Sequence, residues 1–240
     1  IIMPPFFYFD YTFLLLIPAL IFTIWAQINV STTFNKMNKF RTGMSGAEAA
    51  RRILDANGLT HVRIERVSGR LTDHYDPRQS VIRLSESVYD NYSAGAVGVA
   101  AHEAGHAVQY AVGYAPIKLR TAIIPVTSFG SQAAMPLFLI GLIISAYSTT
   151  ASSLGYTLMM TGIIFFSLAV LFQVITLPVE FNASRRALAA LEGSGMLGRE
   201  ELSASGKVLR AAALTYVAAL AVALLNLLRL ILIATGGRRR

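Results

Sequence analysis

The 240-residue chain has no cysteine, which excludes disulfides, thiolate zinc sites and cysteine nucleophiles together. Charge is scarce too: 14% of the residues are Asp, Glu, Lys or Arg, against about a quarter in an ordinary soluble domain, while 54% are hydrophobic. No basic helix or aromatic-studded basic strand occurs, so nucleic acid is excluded as a partner. Internal repeats are absent, and the only small-residue linker is "STTASSLG". An excess of charge on the cationic side, +8 overall, points to anionic lipid headgroups.

What the chain does have is apolar runs. Residues 9–28, 123–147, 156–177 and 211–234 each suffice to cross a hydrocarbon core of about 30 Å, which takes roughly 20 apolar residues in a helix. Asp10 and Arg229 are the exceptions, and both lie near run ends, where a long side chain can snorkel. The first run has no basic stretch before it and no small-x-small cleavage site after it, so it reads as a retained anchor rather than a secretory signal. Four crossings put residues 31–120 and about 180–208 on one side of the membrane. Lys36, Lys39, Arg41, Lys118, Arg120, Arg185, Arg186, Lys207 and Arg210 flank the runs there, and the positive-inside rule assigns that side to the cytoplasm; Arg229 and Arg238 to Arg240 pull the other way.

The expected organisation is thus an N-terminal transmembrane anchor (1–30), a catalytic region (31–120), a transmembrane hairpin (121–178), a cytoplasmic helix (179–208), and a C-terminal transmembrane helix with a basic tail (209–240). Within the polar regions, "SGAE" at Ser45 to Glu48 is a capping box and Gly58 a C′ residue, which predicts a helix between them. "HVRIERV", the turn "SGR" and "SVIRL" suggest a small β-hairpin. Ser85 and Ser93 read as N-caps of a short helix and of a longer one over residues 94–114, stopped by Pro116.

That longer helix carries "AAHEAGHAVQ". Positions four apart on a helix differ by about 40° in rotation, so His102 and His106 project from one face and two imidazoles can reach one metal ion. Glu103 is turned partly off that face, which suits a residue that touches the metal's water, as general base, rather than the metal. A chance H-E-x-x-H is expected in about one chain in a hundred of this length, and a buried glutamate between two buried histidines is costly without a metal. The small neighbours Ala100, Ala101, Ala104, Gly105 and Ala107 are also what close helix packing in any membrane protein would use. A catalytic zinc needs a third protein ligand. His61 and His74 precede the motif; the better candidate is Glu180 in "LPVEFNASRRAL", where Pro178 is expected to start or kink a helix just past the third run. Ser184 shares its face and could hydrogen-bond a ligand, whereas Arg185 and Arg186 turn away, toward lipid phosphates.

"AAHEAGHAVQ", with "LTDHYDPRQSVIRLSESVY" before it and "LPVEFNASRRALAALEGSGML" after it among four apolar runs, resembles the YugP-like neutral zinc metallopeptidases, and more distantly the HtpX-type membrane proteases. The resemblance implies a mainly α membrane protein of four transmembrane helices with a small α+β, gluzincin-like cytoplasmic domain. It further implies one Zn²⁺ per chain, ligated by His102, His106 and Glu180, with Ser184 standing where the HtpX pattern has an aspartate. Peptide bonds of a peptide or protein substrate would be hydrolysed by zinc-activated water, with an extended substrate pairing with an edge strand, for which "SVIRL" is the choice. His74 or Tyr75 in "DHYDP" would donate to the developing oxyanion, unless that stretch is only a turn. A multi-pass enzyme in the cell membrane follows, with a regulatory membrane partner or a homo-oligomer as further expectations. The rival readings are a site-2-type intramembrane protease, which takes an aspartate from another span and finds none in the body of these runs, and a catalytically silent zinc-binding scaffold.

Overall fold

In the computed structural model, which describes residues 11–148 and 150–236, a 3-10 segment (Tyr11–Leu16) leads into α1 (Ile17–Met37). There follow α2 (Gly46–Ala56), β1 (Arg63–Val67), β2 (His74–Asp76), β3 (Val81–Ser85), α3 (Ala94–Ala111), α4 (Ala115–Tyr147), α5 (Ser152–Gly193) and α6 (Arg199–Gly236). Among the described residues four helices are long and apolar enough to cross a membrane: Tyr11–Met37, α4, α5 and α6. The start of the first expected run, with Asp10, and the basic tail Arg238 to Arg240 lie outside the described residues.

Both ends of α2 and of α3 follow local rules. Ser45 caps α2 through the full capping box, accepting from the Glu48 backbone while the Glu48 side chain accepts from Ser45 N at 2.7 Å, and Gly58 leaves the helix at φ 70°. Ser93 caps α3, and Gly113 at φ 67° ends it, so Pro116 falls in the first turn of α4 instead of terminating α3.

Three expectations need correction. Helix α5 runs unbroken through Pro178, which neither starts a helix nor ends one. The strands make no β1–β3 hairpin: the sheet order is β1-β3-β2, with β3 parallel to β1 (Ile64 opposite Ile82) and antiparallel to β2 (Tyr75 opposite Ile82). The "SVIRL" strand is therefore central and has no free edge; its near-continuous burial, with Val81, Ile82 and Leu84 all inaccessible, is that of a strand covered on both faces. Finally, the stretch after Ser85 is a turn rather than a short helix. The Ser85 hydroxyl that would have capped it donates to Asp73 Oδ2 at 3.0 Å.

The chain forms two compact units. One comprises the described parts of residues 1–24, 120–175 and 217–240; in it α4 and α5 touch through small residues, a Cβ on Gly162 lying 2.7 Å from Ala134 O. The other comprises Trp25–Leu119 and Thr176–Tyr216 and has its own core, in which Leu54 of α2, Ile82 and Leu84 of β3, and Ala100, Ala101 and Ala104 of α3 are fully buried.

In this second unit α3 lies against backbone on two sides. A Cβ on Gly98 would lie 3.0 Å from that of Ser205, whose hydroxyl donates to Ala94 O at 2.6 Å. A Cβ on Gly105 would lie 2.7 Å from Ala183 O of α5, a clash no rotamer can relieve. Gly105→Val should therefore push α5 off α3 and cost about 1–3 kcal/mol, the usual range for overpacking. Thermal unfolding against Gly43→Ala, at a glycine with nothing within 4 Å, measures the difference; equal melting of the two would mean the helices slide apart freely.

Candidate metal centre

Helix α3 presents His102 and His106 one turn apart, their ring centroids 4.7 Å apart and their planes nearly perpendicular. Because Gly105 lets α5 come close, Glu180 reaches both rings: its Oε2 lies 3.2 Å from His102 Nε2 and 3.5 Å from His106 Nε2. Among the described residues these three form the group whose donor atoms, all within 4.8 Å of one another, could hold a metal ion. Two imidazole nitrogens and one carboxylate oxygen suit zinc, and a tetrahedral ion at 2.0–2.1 Å from each would separate its donors by roughly 3.3 Å. The two carboxylate–imidazole spacings, 3.2 and 3.5 Å, agree with that figure, and the three donor atoms all lie within 4.8 Å, so the donor set fits.

The distal ring nitrogens are held as well. Ser184 Oγ lies 3.1 Å from His102 Nδ1, and Gln109 Oε1 lies 3.0 Å from His106 Nδ1, leaving each Nε2 turned toward Glu180. His61 is exposed before β1 and outside the cluster.

Glu103 is 8% exposed and shares with His102, Glu180, Ser184 and Asp73 a cleft of about 240 Å³, whose other walls are mainly apolar, among them Val99, Val208 and Ala213. Burial pushes its carboxyl up to about 7; the His102 charge pulls it down, and the nearby Glu180 and Asp73 push it further up. An acid whose folded pKa is raised stabilises the fold below its unfolded value and loses that contribution as pH rises through the folded one. Metal-free protein should therefore lose on the order of 3 kcal/mol between about pH 4.5 and 7 from this group. Zinc, by favouring the anion, should flatten that slope; melting curves of stripped and zinc-loaded protein at several pH values measure it.

The segment expected to supply an oxyanion donor lies on and just before β2. Asp73 turns inward, accepting from Ser85 N at 2.7 Å and from its hydroxyl, and its burial raises its carboxyl pKa. The next residue, His74, is exposed on β2 with Nδ1 2.9 Å from Thr72 O. Tyr75 is half-buried, its ring centroid 5.7 Å from that of Tyr110 in α3. Leu71 and Asp73 line the cleft; His74 and Tyr75 do not. Sequence reasoning missed both Asp73 and Gln109. Gln109 carried a usable signal, since three residues past His106 on a helix is the same face. Asp73 carried none, because its partner Ser85 is twelve residues away.

A family model described as "Putative neutral zinc metallopeptidase" matches residues 12–235. The chain is 48% identical, over 226 residues, to a protein of Bacillus subtilis (strain 168) named "Putative membrane protease YugP", an overlap covering 93% of this chain and 96% of that protein. No solved structure matches.

Proposed function

The chain belongs to this zinc metallopeptidase family, and from that premise we propose that it is a membrane-embedded zinc endopeptidase in which His102, His106 and Glu180 hold one Zn²⁺ and Glu103 is the general base. The observation that carries the reading is the convergence of Glu180 Oε2 on two imidazole nitrogens, at 3.2 and 3.5 Å, beside a second buried carboxyl in the same cleft. When bound, zinc supplies Lewis acidity, polarising the scissile carbonyl and acidifying water.

The chain's own residues do the rest. Glu103 accepts the proton of the attacking water and gives it to the leaving amine; bound zinc would favour its anion, the form a base needs, and burial would favour the acid that returns the proton. Ser184 and Gln109 keep the imidazoles aimed. An extended peptide pairs with the outer edge of β2, the strand adjoining α3, since β3 is paired on both sides. His74 or Tyr75, on that strand but outside the cleft wall, would donate to the oxyanion once bound peptide brings its carbonyl alongside β2. The catalytic residues come from the stretches 31–120 and 179–208, a gluzincin-like domain facing the cytoplasm, as the flanking cations favour. The stretches 1–30, 121–178 and 209–240 anchor it.

Purified protein in detergent should contain one zinc per chain and cleave an unfolded protein substrate. Chelation should abolish cleavage and zinc should restore it. Zinc bound without cleavage of any peptide would instead favour the silent scaffold, against which stands Glu103 in the wall of the cleft.

A further inference from the structure

His106 is held by more than one residue. Its Nδ1 meets Gln109 Oε1 at 3.0 Å, and Gln109 is completely buried. Gln109 Nε2 donates to Val179 O at 2.8 Å and to Asn182 Oδ1 at 3.0 Å, both on α5. Asn182 Oδ1 also accepts from Arg186 Nε at 2.8 Å, one turn further along, and the Arg186 guanidinium lies 6.0 Å over the Tyr114 ring. Arg186 therefore reaches into the protein, where the sequence had suggested lipid phosphate.

The direction of every bond in this chain is forced. An arginine Nε–H can only donate, so the Asn182 atom facing it is the oxygen. That oxygen can only accept, so the Gln109 atom facing it is the nitrogen, and the carbonyl of Val179, which also only accepts, requires the same. Gln109 is left with its oxygen toward His106, whose Nδ1 must then carry the proton, and the lone pair of the neutral ring is on Nε2, the atom facing Glu180.

Resting on the zinc-site reading above, we propose that Gln109, Asn182 and Arg186 are positioning residues: a hydrogen-bond chain of fixed polarity, starting at an obligate donor on α5, that locks His106 on α3 in its metal-binding tautomer. The chain spans the same two helices that supply the ligands, so it also ties ligand orientation to helix contact. Asn182 uses only its oxygen here, which makes aspartate a faithful replacement and leucine a null one. Gln109 carries the larger share, because Val179 O holds its amide even without Asn182.

The test is zinc affinity by chelator competition, with the absorption spectrum of the cobalt(II)-substituted protein as a second readout. Asn182→Leu should weaken zinc binding about tenfold, toward the lower end of the range for outer-sphere partners, and Gln109→Met by up to about a hundredfold with altered cobalt bands. Asn182→Asp should bind like the wild type. Leucine and aspartate variants that bind alike, or a Gln109→Met protein with unchanged affinity and spectrum, would overturn the proposal. Should Gln109→Met not fold, the half-buried Asn182 pair decides alone. Failure of the wild type to bind zinc is a different result, which removes the zinc-site reading and this inference with it.

Discussion

Glu103→Gln should leave zinc bound and the fold intact while lowering peptide cleavage by about a hundredfold to ten-thousandfold, the range for losing a general base. The amide has the shape of the acid but cannot take a proton. Stability should not suffer: burial already disfavours the carboxylate at this 8%-exposed position, so a neutral side chain removes a cost. Metal content, melting temperature and cleavage rate, measured on one preparation, separate the effects. Undiminished turnover in the glutamine variant would take Glu103 out of the mechanism.

Glu180→Ala should fail at the step before. Two histidines on one helix are a poor zinc site, and the carboxylate is the only member of the cluster that α5 provides. Zinc affinity should fall by more than about a hundredfold, beyond the loss expected from an outer-sphere partner. Glu192→Ala, at an exposed position on the same helix, is the control and should bind normally. Equal zinc content in the two variants would mean the third ligand lies elsewhere. Cleavage then falls in both Glu103→Gln and Glu180→Ala, but only the second is accompanied by metal loss.

Many local signals were legible, although the Ser85 cap, equally local, failed because its hydroxyl goes to Asp73. The Ser45 to Glu48 box, the Ser93 cap, the four apolar stretches and the one-turn spacing of His102 and His106 are each contained in a few consecutive residues. Glu180 needed more: its nearness to the histidines, 78 residues back, was suggested by its place after the third apolar run and by the resemblance to known proteins, not by periodicity. Strand order was illegible because strands of three to five residues carry too little alternation to fix their partners. The expectation of a helix start at Pro178 failed for another reason. A proline bars one backbone bond, but a helix held by neighbours tolerates it, and α5 continues. Asn182 and Arg186 were hidden in "FNASRR", where side-chain chemistry suggests a solvated basic stretch and only the fold reveals an inward hydrogen bond.

The glycine between the two histidines has a last consequence. With backbone rather than side chain at the contact of α3 and α5, Gly105 against Ala183 O sets how closely the helices carrying His102, His106 and Glu180 approach. A cation held by His102, His106 and Glu180 would then enter a socket already cut to size instead of drawing a loose clasp shut. Stripped protein should accordingly recapture zinc quickly, with little change in far-ultraviolet circular dichroism or protease resistance.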